Sequence, residues 1–331
     1  MTRVRRVKKE ENMNYIVFDL EWNQSPGGKK YANRHLPFEI IEIGAVKLNE
    51  QKEITDSFHR LIKPQVYNWI HDSIHEVIHV DYKDLADGTL FPQAIREFFQ
   101  WCGEEWCFFT WGNQDVMELQ RNMKYYGLLD LLSGPVTYYD VQKLYSIRYE
   151  DRKTRRALEY AVNELKIKKG SDFHRALADA YYTAAVLKKI EDPYIWPNSS
   201  LDVYQNPKTK KEEIHVSYPT YDKYVSREFT AREKVMKDRE VTSTRCPVCH
   251  CNAKRKIRWF SSNMKNYYSV SACQEHGLVK GKIRVRKTEE EKYYVIKTIK
   301  LITNEEAEEI QHKRESLRRK KQRKRRSEKK V

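Results

Sequence analysis

Tyr15, Ile16, Val17 and Phe18 form an apolar run that passes directly into Asp19, Leu20 and Glu21. Such a run predicts a β-strand, and the period of two along a strand sends Asp19 and Glu21 off the same face at its end. The aromatic run from Cys107 to Trp111 predicts another strand, which turns at Gly112 and opens a helix near Asp115. Ala176, Leu177, Ala180, Ala184 and Leu187 then recur at helical spacing within 174–190. Further helices are expected over 91–102, 115–126 and 155–165. Strands and helices alternate along the chain, which predicts a layered α/β fold over residues 13–192.

After Pro193 the pattern breaks into proline- and serine-containing segments around Trp196 and Asn206, and residues 193–244 read as a linker. Beyond it, short β-prone stretches at 256–260, 267–270, 282–285 and 293–297 predict a small β domain over 245–300. A chain of 331 residues has room for one domain of ordinary size and a small one. Residues 301–331 begin acidic at Glu305 and finish with a basic run from Arg318 to Arg326. Thr303 or Asn304 is expected to cap a helix there, its charge order matching the helix dipole. Past Leu317 no apolar face remains, so fraying is expected. Residues 1–12 make a second basic tail, dispensable if Met13 is the natural start.

Lys and Arg number 63 against 47 Asp and Glu, a net charge of +16 with much of the excess in the C-terminal tail. Basic runs bind polyanions by releasing counterions, in a salt-dependent and sequence-tolerant way. The same run also suits a solvated end, or contact with an acidic protein or a membrane surface. Arg255, Lys256 and Arg258 interleave with Trp259, Phe260, Tyr267 and Tyr268, and charge combined with stacking holds single strands. In a small sheet, though, most such rings go to the core. No stretch approaches the ~20 apolar residues of a membrane span. With no secretory signal, a cytoplasmic location is expected.

Two carboxylates held side by side repel, and each raises the other's proton affinity unless a cation lies between them. Asp19 and Glu21 therefore point to a divalent-metal site, with a pair of solvated acids as the alternative. Asp115, His174 and Asp179 shift that balance, the last two lying five residues apart in the helical pattern. In order, Asp19, Glu21, Asp115, His174 and Asp179 resemble the site of the DEDDh 3′→5′ exonucleases of the RNase H-like superfamily. The resemblance runs from Tyr15 to about Ile190. It is nearest to the branch holding histone-mRNA exonucleases and bacterial exonucleases described as inhibitors of a sporulation kinase pathway. Glu39 to Val46 is similar to that family's second strand and Phe58 to Pro64 to its third.

The resemblance implies an RNase H-like mixed sheet flanked by helices, and two Mg²⁺ or Mn²⁺ ions held by Asp19, Glu21, Asp115 and Asp179. It also implies that Leu20, Trp22, Ile78 and His79 contact substrate. Trp22 stands where threonine is common, and the segment Ile78, His79, Val80 lacks a customary glycine; both departures bear on substrate preference. Phosphodiester hydrolysis requires a neutralised anion, a generated nucleophile and a stabilised leaving oxygen, which two divalent ions roughly 3.5–4 Å apart supply. Asp19, Glu21 and Asp179 are expected at the nucleophile-side ion, with Asp19 shared and Asp115 completing the second. His174 is expected to take the proton of the attacking water, since imidazole exchanges protons near neutral pH. The expected activity is release of nucleoside 5′-monophosphates from the 3′ end of RNA or single-stranded DNA, with RNA favoured by the branch. A non-catalytic nucleic-acid-binding regulator and a polymerase proofreading subunit are the alternatives. The expected partner is nucleic acid, with no membrane, and the sequence names no protein partner.

Cys246 and Cys249, then Cys273 and His276, read as C-x2-C and C-x2-H and supply one tetrahedral set for a structural Zn²⁺. Pro247 inside the first pair and Gly277 after the second fit the tight turns of a zinc ribbon, which the segment resembles. His250 and Cys251 compete as ligands. The alternatives are a set of free cysteines or disulfides, and disulfides are disfavoured because Cys102 and Cys107 lie in an apolar stretch and no secretory signal is present. A segment this short gains the stability its core lacks from a metal.

Overall fold

Alternation along the first strand organises one of the two units into which the chain divides, Arg6–Gln205; the other comprises Asn206–Val331 with Met1–Arg5. The computed structural model describes residues 2–3, 13–28, 30–69, 82–170 and 173–328. A two-residue strand, β1 (Thr2–Arg3), belongs to the second unit.

In the first unit, β2 (Asn14–Gln24) pairs antiparallel with β3 (Phe38–Leu48), and β3 with β4 (Ile54–Leu61). The short helix α1 (Tyr82–Ala86) precedes α2 (Phe91–Cys102), which leads to β5 (Trp106–Thr110), parallel to β2. Helix α3 (Gln114–Tyr125) then leads to β6 (Thr137–Asp140), parallel to β5. Three helices follow, α4 (Val141–Tyr149), α5 (Leu158–Glu164) and α6 (Ala176–Lys189). After α7 (Asp192–Ile195) an antiparallel edge strand, β7 (Ser200–Leu201), completes the order β4-β3-β2-β5-β6-β7. This is the mixed, helix-flanked α/β sheet expected.

The two faces of β2 divide the core. Ile16, Phe18 and Leu20 pack with Phe98, Phe108, Val116 and Leu119, beneath α2 and α3. Tyr15 and Val17 pack with Phe109, Tyr139, Leu144, Val186 and Leu187, beneath α4 and α6. Helix α2 forms because Phe91, Ala94, Ile95, Phe98 and Cys102 recur on one buried stripe, with a proline in its first turn, where a missing N–H costs no hydrogen bond. Each such aromatic contributes roughly 1.5–3 kcal/mol on burial. Asp19 and Glu21 continue the face of Tyr15 and Val17, so they emerge toward α6.

Gly44 lies opposite Asp19 in the β2–β3 register. A Cβ there would sit 2.0 Å from the backbone nitrogen of Leu177 and 2.2 Å from the carbonyl carbon of Ala176. The first turn of α6 therefore rests directly on the strand, which only glycine permits. Just past the second register step from that pair, between Glu21 and Trp22, the pairing jumps from Glu42 to Ile40, a bulge that leaves Ile41 without an opposite residue.

Several boundaries differ from the sequence expectation. The helix expected over 174–190 starts at Ala176: Arg175 is extended and His174 adopts a left-handed φ of 65°. Helix α4, not foreseen, starts where the Asp140 carboxylate accepts the backbone N–H of Lys143 at 2.8 Å. Residues 193–244 are not a plain linker. They supply β7 to the first sheet and then enter the second unit as β8 (Ile214–Ser217), β9 (Asp222–Val225), α8 (Arg232–Val235) and α9 (Arg239–Thr242). Elements of four residues are too short for periodicity to reveal.

The second unit continues with β10 (Lys254–Ser261), β11 (Asn266–Cys273), β12 (Gly277–Lys287) and β13 (Tyr293–Leu301), close to the strands expected. Its sheet runs β1-β8-β9-β13-β12-β11-β10, antiparallel except where β1 joins β8. Helix α10 (Asn304–Glu328) continues beyond Leu317, where fraying was expected. Thr303 and Glu306 bond each other's backbone N–H at 3.4 and 3.3 Å, a capping box, and Ile310 packs on Ile257 and Val270. Among the described residues no helix is long and apolar enough to cross a membrane.

Replacing Gly44 with alanine is expected to push α6 off the sheet, lowering stability by about 3 kcal/mol in denaturant unfolding. An unchanged unfolding midpoint would show that the strand and helix separate without cost.

Candidate active site and metal centre

Oxygen atoms of Asp19, Glu21 and Asp179 all lie within 4.8 Å of one another. Strand alternation aims the first two, and the seating of the α6 first turn on Gly44 brings the third. Asp179 accepts the backbone N–H of His174 at Oδ2, 3.2 Å away, while its Oδ1 is buried without a hydrogen-bond partner. Burial followed by repulsion from Asp115, Glu21 and Asp179 drives the Asp19 carboxyl far above the usual range. Burial, then Asp179 and Glu42, lifts Glu21 to about 8. Burial likewise lifts Asp179 to about 6. Carboxylates packed so closely cannot all ionise unaided, and an oxygen-loving divalent cation is the group that would let them. The orphaned Oδ1 of Asp179 and the mutual reach of the three acids fit such an ion.

Asp115 enters at the start of α3 and is nearly fully buried; its Oδ1 accepts the backbone N–H of Leu20 at 3.3 Å, and burial raises it to about 7. It stands beside Asp19 electrostatically but outside the cluster of three. His174 is exposed in the loop ahead of α6, not on the helix face expected for it, and its left-handed backbone turns its N–H back onto Asp179. Leu20, expected to touch substrate, has its side chain 3% exposed within the core, so only its backbone faces the site. Trp22 is half-buried with its ring 6.1 Å from that of Phe38. Ile78 and His79 lie outside the described residues.

Glu42, opposite Glu21 across the sheet, was not foreseen as part of the site. It is buried yet held below the ordinary carboxylate range: burial pushes it up, and the hydrogen bonds from His59 and Arg175 outweigh that. His59 Nε2 lies 2.7 Å from Oε1, and the Arg175 guanidinium reaches both oxygens at 3.2 to 3.3 Å. Arg175 precedes α6 directly, so this ion pair ties the helix start to β3. The only signal in the sequence is Arg175 following His174, with its partner 133 residues away.

In the second unit, Cys246, Cys249, Cys273 and His276 bring their ligand atoms within 4.8 Å of one another. The Sγ atoms of Cys249 and Cys273 are 3.6 Å apart, and Sγ of Cys273 is 3.7 Å from Nδ1 of His276. A tetrahedron with ~2.3 Å metal–sulfur bonds has edges of about 3.8 Å. Hydrogen bonding from His276 draws Cys273 down to about 6, toward the thiolate a soft cation takes. Cys273 closes β11 and Gly277, with a φ of 81°, opens β12 directly opposite it. His250 and Cys251 stay out of the set: Nδ1 of His250 lies 3.7 Å from Asp222, and Cys251 is exposed. None of the six cysteines is in a disulfide.

The exonuclease family model of the RNase T type matches residues 16–187. The chain belongs to this family and carries a DEDDh exonuclease domain. Among solved structures it is similar to a full-length 3′-exonuclease, at 18% identity and a TM-score of 0.46, over 54% of this chain and 82% of that one. It is similar also to the nuclease domain of 3′hExo, a DEDDh family member bound to rAMP, at 17% and 0.46, over 54% of this chain and 93% of that one. Exonuclease I of E. coli in complex with a dT13 oligonucleotide matches at 17% and 0.44, over 55% of this chain and 41% of that one. No curated protein matches the chain.

The raised carboxyls make cation binding pH-dependent in a definite direction. Protons held by Glu21 to about 8 and by Asp179 to about 6 must leave as the ion enters, so affinity rises with pH. Calorimetric titration with Mn²⁺ is expected to show at least tenfold tighter binding at pH 8 than at pH 6, with proton release; a flat profile would mean the acids are not the ligands. For the cysteine set, chelation is expected to expose the 246–276 segment to protease, and re-addition of Zn²⁺ to protect it. Unchanged protection in metal-free protein would assign the cluster no structural role.

Proposed function

We propose that the chain is a metal-dependent 3′→5′ exonuclease that releases nucleoside 5′-monophosphates from the 3′ end of RNA or single-stranded DNA. The convergence of Asp19, Glu21 and Asp179 carries this reading. A docking module gains nothing from carboxylates that burial forces to hold protons, whereas phosphodiester hydrolysis needs them to gather cations. In this reading Asp19, Glu21 and Asp179 would hold one divalent ion, and Asp19 with Asp115 would hold a second. The bound ions, Mg²⁺ or Mn²⁺, supply charge neutralisation of the phosphate and a water acidic enough to attack it.

The residues of the chain divide the remaining work. Asp179 uses Oδ2 to fix the backbone of His174 and leaves Oδ1 to the cation, so one carboxylate sets the spacing between ligand and base. The exposed imidazole of His174 takes the proton of the attacking water at a ring nitrogen and returns it to solvent. Arg175, through Glu42, fixes the start of α6 and so the position of that loop. Trp22, half-buried beside Phe38, offers a ring for stacking by a terminal base. Cys246, Cys249, Cys273 and His276 hold one structural Zn²⁺.

The test is hydrolysis of matched single-stranded RNA and DNA, labelled at the 3′ or the 5′ end, with Mg²⁺ or Mn²⁺. Release of 5′-monophosphates from the 3′ end is expected, falling about 10²–10⁴-fold in His174→Ala and lost in Asp19→Ala. Salt-sensitive binding with no turnover on any strand would replace this reading with that of a nucleic-acid-binding regulator.

A further inference from the structure

The second unit carries a cavity of about 590 Å³ with five cationic side chains in its lining, Arg232, Lys265, Arg284, Arg286 and Lys287, beside Tyr293. No carboxylate lines it. The cations arrive from three separate segments: the start of α8, the turn ahead of β11, and the end of β12. The cavity opens where the sheet has a step. Strand β11 begins at Asn266, opposite Arg284, while β12 runs on to Lys287 with only β13 beside it. The backbone N–H of Val285 donates to the carbonyl of Lys265 at 2.8 Å, which fixes the turn against the overhang.

Lys287 reaches the exposed Glu291 at 2.7 Å. Among the described residues, no carboxylate pairs with Arg232, Lys265, Arg284 or Arg286. Like charges gathered from three segments without counter-charges repel, and an anion with several negative groups relieves that repulsion. Guanidinium groups grip phosphate oxygens two at a time, and the volume lies within the range of ligand sites rather than single-ion sites. The half-buried ring of Tyr293 adds a surface on which a base can stack. By contrast, the aromatics singled out in the sequence are committed elsewhere: Trp259 donates its indole N–H to the Thr242 carbonyl at 2.9 Å, and Tyr268 lies under Lys280 and Lys313.

We propose that this cavity is a nucleic-acid site of the second unit, holding the phosphodiester backbone of a single strand through Arg232, Lys265, Arg284 and Arg286. The choice of nucleic acid among polyanions rests on the exonuclease reading above.

The test uses the full chain carrying Asp19→Asn, so that the strand survives, with fluorescence anisotropy of labelled single-stranded RNA and DNA across a KCl series. Adding Arg284→Gln and Arg286→Gln is expected to weaken binding about tenfold and to lower the slope of log affinity against log salt by about 1.4, two contacts at about 0.7 each. Lys210→Gln with Lys211→Gln removes equal charge from exposed positions outside the cavity lining and is expected to leave most of the slope in place. Circular dichroism melts check that both doubles fold. Equal losses in the two doubles would reduce the effect to diffuse charge and overturn the site, as would no loss in either. Loss of binding to anionic phospholipid vesicles but not to oligonucleotide would overturn it in favour of a membrane surface. If the unmutated chain hydrolyses no strand but the arginine double still loses oligonucleotide binding, the exonuclease reading fails and this site stands.

Discussion

Mutual repulsion among Asp19, Glu21 and Asp179 is the constraint around which the first unit is arranged. Two unit charges 4 Å apart near a protein surface repel by about 4 kcal/mol, and the three acids lie within 4.8 Å of one another. A fold left to itself would turn one of them out to water. Here none is free to leave: two are fixed by the alternation of a central strand, and the third by a helix turn that meets the opposing backbone at Gly44. The chain yields in protonation instead, which is why burial and neighbouring charge drive these carboxyls upward. At neutral pH the folded state keeps protons that the unfolded chain has released, so without a cation the cluster costs stability as pH rises toward 8.

Glu42 shows the other way of burying a carboxylate. It lies across the sheet from Glu21 and is as deeply buried as its surroundings, but it has Arg175 and His59 within hydrogen-bonding distance. With its charge balanced it stays ionised. The difference between the two sides of one strand pair is thus one of partners and not of depth. A compensated acid anchors α6, and uncompensated acids wait for a cation. Arg175 cannot be lent to the cluster without releasing Glu42, whose own charge helps to lift Glu21 and Asp179.

What the sequence made legible follows from the range of the interactions concerned. Asp19 and Glu21 could be read because strand alternation is local, and Asp115 because an apolar run ends just before it. His174 could be placed near Asp179 by spacing but not given its conformation: the apolar positions begin at Ala176, and extending their helix back over two polar residues hid the left-handed turn. Glu42, His59 and Arg175 were out of reach, since their pairing spans 17 and 133 residues. Residues 193–244 read as a linker for a related reason: four-residue strands and helices have no period, and only pairing with β8 and β13 makes β9 a strand.

In the second unit, one hairpin relates the metal set to the basic cavity. Cys273 faces Gly277 at one end of the β11–β12 pair, and Asn266 faces Arg284 at the other, with unbroken register between. A slip of a single residue along that pair would send every side chain of one strand to the opposite face. It would move Ile283 and Val285 out of the core, and Arg284 and Arg286 with them from their places. Hydrophobic burial resists such a slip along the middle of the hairpin, but its turn is made of the polar residues Gln274, Glu275 and His276, which bury little. The Cys and His side chains gather that turn and the segment before β10 into one cluster. A cation held there, as proposed, would secure at one end the register on which the spacing of the cations at the other depends.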